Sequence, residues 1–165
     1  MNMATRKHVH EEVMPAGPER VFAALYTPSA IRDWWSVARA VVMPQPGGIW
    51  AAAWGASEDD PDYVVSAVLA EFDPPRRMVW RDQRYHAKSG RLPFEADFVT
   101  TFEVEPHPQG AVLRVTQVGF PTAVVADDFY AGCQRGWRDT FAGMRRHLES
   151  TPSSSHLRAT PVPGL

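Results

Sequence analysis

The chain has 165 residues, of which 44% are hydrophobic and 22% charged, with 17 basic side chains, 19 acidic side chains and one cysteine. A chain of this length can bury a substantial core unaided, and the single Cys133 excludes a disulfide scaffold. The formal charge of -2 argues against a nucleic-acid partner, and no apolar stretch approaches the roughly 18 residues of a membrane span. The N-terminus lacks the apolar core of a signal peptide, so we expect a cytoplasmic protein, either monomer or homodimer.

The N-terminal region predicts one strand followed by two short helices. Residues 6–14 have the short extended pattern of an edge strand. Apolar residues at helical spacing predict a helix over 18–26, which begins with a proline, a residue tolerated in a first turn. Thr27 and Pro28 then act as the N-cap and first residue of a second helix, which ends at Trp35.

The middle of the chain predicts a meander of six strands, divided by turns rich in proline, glycine and acidic residues. Connections this short join antiparallel neighbours. The predicted strands are Ala38–Met43, Gly48–Trp54, Tyr63–Phe72, Arg77–Tyr85, Glu95–Glu105 and Ala111–Gly119.

A long C-terminal helix is predicted over 123–149, where apolar residues recur every three or four positions. Gly132, Gly136 and Gly143 form a stripe beside this apolar row. Because each glycine costs about 1 kcal/mol relative to alanine inside a helix, we interpret the stripe as a place of close approach to a sheet or a ligand. Residues 151–165 have the low-complexity composition of a disordered tail, so we expect a single domain over 1–150.

The element order predicts the fold class. One strand, two short helices, six strands and one long helix make an α+β domain. A curved antiparallel sheet of about seven strands must bury its apolar face against the long amphipathic helix, around which it wraps. The two short helices can close one end of the resulting groove.

Several local signatures are spread over 7–149. They are Pro18-Glu19-Arg20-Val21-Phe22, Thr27-Pro28, Trp34-Trp35, Gly47-Gly48, Gly119-Phe120, and Gly136-Trp137 with Phe141 and Leu148. With them the chain resembles the SRPBCC (START-like) superfamily, and within it the family named for the C-terminal domain of the activator of the heat-shock protein 90 ATPase. The resemblance implies a helix-grip fold with an elongated pocket between the sheet and the C-terminal helix. This superfamily hosts binding proteins and enzymes alike.

Strand alternation places many large side chains on the inner face of the sheet. They either line an aromatic pocket, which is typical of a small-molecule site, or simply fill the core. We expect Trp34 to pack in the core and Trp35 to stand at the pocket entrance. The candidate ligand-binding residues are Trp35, Trp50, Trp54, Trp80, Asp82, Phe98, Thr100, Phe102, Leu113, Val115, Gln117, Gly136 and Trp137.

Asp82 and Gln117 are polar residues on faces that are otherwise apolar. Because a buried polar group needs a partner, in a pocket they would orient a polar group of the ligand. The alternative is that Asp82 pairs with Arg81 or Arg84 in water, and that Gln117 bonds to the backbone.

Two other groups of reactive side chains have simple interpretations. His8, His10 and Glu12 fall on one side of the first strand, but same-face residues are about 6.6 Å apart, so a solvated edge strand is favoured over a metal site. Cys133 lies in phase with the packing face of the long helix, which favours a small buried apolar role over a nucleophile. The sequence has no phosphate loop, dinucleotide fingerprint or paired-cysteine motif, and we expect no metal and no cofactor.

Three functions are compatible with these features. The leading hypothesis is a non-catalytic binding protein for a small apolar or amphipathic ligand. The second is a cyclase-like or hydrolase-like enzyme of the same superfamily, with Asp82, Gln117 and Arg114 as candidates, although alternation points Arg114 outward. The third, a stress-related co-chaperone, is implied only by the name of the family that the chain resembles.

Overall fold

The computed structural model describes residues 4–150, and the predicted tail lies outside this range. In chain order the elements are β1 (Thr5–Met14), α1 (Pro18–Tyr26), α2 (Pro28–Trp35), β2 (Arg39–Val42), β3 (Ile49–Trp54), β4 (Tyr63–Asp73), β5 (Arg77–Ala87), β6 (Val99–His107), β7 (Gly110–Pro121) and α3 (Asp127–Ser150), with a 3-10 turn at Val124–Ala126. The predicted order of elements is confirmed.

All of these strands belong to one antiparallel sheet, in the order β1-β7-β6-β5-β4-β3-β2. The strands from β2 to β7 are neighbours in sequence order, as the short turns predict, whereas β1 pairs with the last strand, β7. The sheet packs one face against α3, and this confirms the predicted helix-grip architecture.

The buried side of α3 agrees with the helical period of the sequence. Trp137, Phe141, Met144 and Leu148 are all buried on it. Their spacing of three or four residues places them on one side of the helix, and this side faces the sheet.

The glycine stripe of α3 serves two purposes. A Cβ atom added at Gly143 would lie 2.5 Å from the carbonyl oxygen of Trp34, so the absence of a side chain lets α2 cross α3 at close range. A Cβ atom at Gly136 would meet nothing within 4 Å. The close contact is therefore with a second helix and not with the sheet, while Gly136 borders open space.

Three indole groups hold the two short helices in place, one by joining α2 to α1 and two by joining β3 of the sheet to these helices. Each donates its Nε1–H to a backbone carbonyl at or near the C-terminal end of α1 or α2, where carbonyls lack a partner within the helix. The pairs are Trp34 with Ala24 at 2.8 Å, Trp50 with Leu25 at 2.9 Å, and Trp54 with Trp35 at 3.1 Å. These bonds satisfy both the buried indoles and the helix ends.

β1 lies at an edge of the sheet, as predicted, but its histidine face is not solvated. His8 is 4% exposed, whereas Val9 on the opposite face is 48% exposed. The His8 ring lies 4.7 Å from that of Phe120 and 5.2 Å from that of Tyr130 of α3, between ring centroids. The prediction of a solvated strand is wrong for His8, because alternation defines two faces without saying which one the helix covers.

No helix between residues 4 and 150 is long and apolar enough to cross a membrane.

Candidate ligand-binding cavity

The space between the sheet and α3 divides into a filled half and an open half. In the filled half, large side chains from α1, β5, β6 and β7 are buried, among them Phe22, Met78, Phe102, Leu113 and Val115. The open half holds a cavity of about 1270 Å³, somewhat larger than the roughly 300–1,000 Å³ of most small-molecule sites. The two alternatives for the inner faces, pocket and filled core, are therefore both present, each in one half of the domain.

The cavity opens where β5 and β6 separate. β5 pairs with β6 only from Arg77 to Trp80, although it continues to pair with β4 as far as Ala87. The connection 88–98 crosses the gap between the two strands, and most of its residues line the cavity. This segment therefore forms the outer wall that the sheet itself does not supply.

The connection replaces the first part of the strand predicted from Glu95, because β6 begins only at Val99. It passes close to the backbone of β7 at Gly119, which has a left-handed φ of 100°. A side chain at this position would collide with the carbonyl oxygen of Asp97. Glycine is needed here both for its φ and for the close approach.

A β-bulge in β5 decides which polar side chain faces the cavity. Asp82 and Gln83 together oppose the single residue Ala67 of β4, and Asp82 has a left-handed φ of 50°, which aspartate tolerates better than most residues. The extra residue shifts the alternation of the strand. Asp82 is exposed and Gln83 lines the cavity, so the predicted inward orientation of Asp82 is wrong.

All six tryptophans form one contiguous cluster at the closed side of the cavity. Trp34 is buried, as expected. Trp35 lies at the centre of the cluster and lines the cavity, so it is part of the aromatic wall and does not stand at the entrance as expected. The ring centroid of Trp35 lies 4.8 Å from Trp34, 5.5 Å from Trp50, 5.3 Å from Trp54 and 5.6 Å from Trp137, and Trp50 lies 4.3 Å from Trp80. The cluster joins α2, β3, β5 and α3 into one aromatic wall.

A second aromatic group surrounds Phe129 near the start of α3. Its ring centroid lies 5.6 Å from Phe94, 5.8 Å from Tyr85 and 5.8 Å from Phe98. Phe94 belongs to the connection 88–98, so this contact holds the outer wall against the helix. Together with Tyr63, whose ring stacks on Trp54 at a centroid distance of 4.7 Å, nine of the 24 lining residues are aromatic.

A chain of hydrogen bonds crosses the wall of the cavity from α3 to β5. Trp137 Nε1 donates to Gln117 Oε1 at 3.2 Å, Gln117 Nε2 donates to Thr100 Oγ1 at 3.1 Å, and Thr100 Oγ1 donates to Gln83 Oε1 at 2.6 Å. Gln117 therefore bonds to side chains and not to the backbone. Gln83, Gln117 and Trp137 line the cavity, while Thr100 is buried behind them.

Cys133 lines the cavity between the two aromatic groups. Burial raises the pKa of its thiol to about 12, so the thiol is neutral at physiological pH and is a poor nucleophile. Burial also raises the pKa of Tyr63 and Tyr85, which line the same cavity. Among residues 4–150, no three metal-ligating side chains converge on one point.

Charged side chains lie at the exposed margin of the cavity. Arg84 and Arg91 are balanced by Glu95 and Asp128, all four of which are exposed lining residues. With the exposed lining residue His86 counted as neutral, the margin has no net formal charge, and the polar groups of the interior are neutral amides, hydroxyls, indoles and the thiol of Cys133.

Comparison with models of known protein families shows the family of this chain. The model of the family "Activator of Hsp90 ATPase homolog 1-like protein" matches residues 15–149. The chain belongs to this family. The family's fold is compatible with ligand-binding and with co-chaperone-like roles. No curated protein matched the chain.

Solved structures share the same fold at low sequence identity. Protein MLL2253 from Mesorhizobium loti is 22% identical, with a TM-score of 0.72 over 89% of this chain and 99% of that chain. A protein from Rhizobium leguminosarum is 22% identical, with a TM-score of 0.73 over 91% and 98%. Protein CV1439 from Chromobacterium violaceum is 22% identical, with a TM-score of 0.68 over 88% and 99%. At this level of identity, the similarities establish that the chain shares the fold of these proteins.

The predicted ligand-binding residues of this family member fall into three groups according to their position relative to the cavity. Those that line it are Trp35, Trp54, Trp80, Phe98, Gln117, Gly136 and Trp137. Those that are buried without lining it are Trp50, Thr100, Phe102, Leu113 and Val115. Asp82 alone is exposed and lies outside the lining.

Several lining residues were not predicted from the sequence, among them Tyr63, Gln83, Tyr85, Phe94 and Phe129. Alternation along β4 gives a signal for Tyr63, which shares a face with the buried Leu69. The apolar period of α3 gives one for Phe129. No local signal marks Gln83, since its orientation depends on the bulge.

Proposed function

We propose that this protein binds a small apolar or amphipathic molecule in the cavity between the sheet and α3, without transforming it. The observation that carries the proposal is a cavity of about 1270 Å³ whose wall includes nine aromatic side chains. Aromatic and apolar walls with a few placed polar groups are typical of ligand sites. Burial of a ring system against such walls removes apolar surface from water, at roughly 25 cal/mol per Å².

The arrangement of the wall supports binding over simple loose packing. The tryptophan side is held by indole hydrogen bonds to helix ends, and the opposite side is held by the contact between Phe94 and Phe129. A site held open by such bonds loses little conformational entropy when a ligand enters. The cavity is therefore preorganised.

The alternative functions have less support from the cavity. Of the enzyme candidates, the exposed Asp82 and the outward-facing Arg114, which pairs with Glu11 at 2.7 Å, stand outside the cavity lining. Gln117 lines the cavity, but its amide is neither an acid nor a base, and the neutral thiol of Cys133 is no ready nucleophile. The co-chaperone hypothesis rests on the family description alone. A cytoplasmic location and the oligomeric state stay predictions, for cell fractionation and sedimentation to test.

Two substitutions at Gly136 test the proposal. Both Gly136→Leu and Gly136→Ala remove a helix glycine, but only leucine projects a long side chain into the open space that begins at this position. We expect neither variant to be less thermally stable than the parent. We expect Gly136→Leu, and not Gly136→Ala, to lose most of its affinity for the fluorescent probe anilinonaphthalene sulfonate.

The possible outcomes separate the alternatives. Loss of stability in Gly136→Leu would indicate tight packing instead of a cavity at this point. Unchanged stability together with unchanged probe binding would show that position 136 does not border a ligand-binding cavity. Either result contradicts the proposed site.

A further inference from the structure

The hydrogen-bond chain in the cavity wall has a defined direction, because one of its ends is a pure donor. The indole of Trp137 can only donate, so the Gln117 atom that faces it is the carbonyl oxygen. The amide nitrogen of Gln117 therefore faces Thr100, 3.1 Å from Oγ1, and donates to it. The orientation of the first amide follows from the chemistry of tryptophan.

The hydroxyl of Thr100 passes this direction on to Gln83. Thr100 is fully buried, and its single proton needs an acceptor. The distance of 2.6 Å to Gln83 fits an O–H···O bond and is shorter than the usual N–H···O range of about 2.7 to 3.2 Å. The carbonyl oxygen of Gln83 is therefore the acceptor.

The remaining group of Gln83 is its amide nitrogen. It has no partner among residues 4–150, and Gln83 lines the cavity. The bulge at Asp82 is what turns this side chain inward. The chain of bonds thus ends in an NH₂ group with two protons available to a bound molecule.

A second unpaired donor lies behind the same wall. The Nε1 atom of Trp80 is buried and has no hydrogen-bond acceptor within the described part of the chain, and Trp80 lines the cavity. It is paired in register with Thr100, so it stands beside the hydrogen-bond chain. This nitrogen has no surface exposed to the cavity, so the donor of this wall that a ligand can reach is the amide of Gln83.

We infer that the ligand carries a neutral carbonyl oxygen on a flat ring system, and that Gln83 recognises this oxygen. The inference rests on the proposed binding function. The flat ring system follows from the aromatic walls, and the acceptor follows from the unpaired NH₂ group of Gln83. A neutral acceptor is favoured over an anion, since the accessible donor is a neutral amide, the charges at the margin cancel, and an unpaired buried charge is far more costly than a carbonyl.

Fluorene and fluorenone test this inference, because they share one tricyclic shape and differ by a methylene in place of a carbonyl. Their affinities are measured by displacement of anilinonaphthalene sulfonate. A wholly apolar cavity favours fluorene, since the carbonyl of fluorenone must leave water. With the donor of Gln83 present, we expect fluorenone to bind about five- to tenfold more tightly than fluorene.

The variant Gln83→Glu removes the donor and keeps the acceptor. One carboxylate oxygen still accepts from Thr100, while the other replaces the NH₂ group. We expect the preference for fluorenone to disappear and the affinity for fluorene to change little. Gln109→Glu, an exposed site in the β6–β7 turn, makes the same change of charge and should keep the preference.

The results distinguish this inference from the proposed function. If neither compound displaces the probe, the proposed function fails and the inference with it. If fluorene binds the parent protein as tightly as fluorenone, the inference alone fails, and this result needs no variant to fold. If Gln83→Glu keeps the preference, Gln83 is not the recognising residue and the inference is overturned.

Discussion

Gly136 and Gly143 of α3 are expected to respond differently to the same substitution by alanine, measured as the free energy of unfolding. Both lie in the interior of α3, so changing either to alanine gains the same helix propensity, about 1 kcal/mol. The surroundings differ. A Cβ at Gly136 meets nothing within 4 Å, whereas a Cβ at Gly143 lies 2.5 Å from the carbonyl oxygen of Trp34.

The magnitudes follow from this difference. Gly136→Ala should raise the free energy of unfolding by up to about 1 kcal/mol, which is a rise of about 2–4 °C in Tm for a chain of this size. Gly143→Ala forces α2 away from α3, and overpacking costs roughly 1 to 3 kcal/mol. Because the propensity gain cancels between the two variants, their difference in stability measures the overpacking alone.

Urea unfolding followed by tryptophan fluorescence gives both free energies, with circular dichroism as a second probe of two-state behaviour. We expect Gly143→Ala to be less stable than Gly136→Ala by roughly 1 to 3 kcal/mol. Equal stabilities would refute the close crossing of α2 over α3. A marked loss of stability in Gly136→Ala would refute the open space at that position.

Trp137→Ala should lower the free energy of unfolding by about 3 to 5 kcal/mol, because Trp137 is 8% exposed and donates to Gln117; a loss below 1 kcal/mol in urea unfolding would contradict this. Burial and the nearby His10 lower the pKa of His8 to about 4, so the folded state disfavours the protonated ring. The free energy of unfolding should therefore fall by up to about 3 kcal/mol as the pH drops from about 6.5 to 4. His8→Phe should flatten this dependence, whereas His107→Gln at the half-buried end of β6 should not. An unchanged slope in His8→Phe would show that other groups cause the dependence. Phe94→Ala removes the contact that holds the outer wall on α3, so stopped-flow release of anilinonaphthalene sulfonate should be faster, and an unchanged rate would mean that the probe leaves by another route.

The sequence by itself determined the architecture of this protein, because periodicity and turn chemistry are local properties. Proline and glycine marked the strand ends, and the period of three to four residues identified the buried face of α3 around Trp137. Alternation also placed Trp80, Thr100 and Val115 on the inner face, since a strand keeps its alternation wherever its pairing is regular.

Only the tertiary structure decided where the interior is open and which polar group faces it. The orientation of Gln83 instead of Asp82 depends on a bulge, which arises from the register of β5 on β4 and not from β5 alone. The burial of His8 depends on where α3 crosses the sheet. The cavity depends on the separation of β5 from β6 and on the path of 88–98, because an empty volume is what remains after all long-range packing has been made.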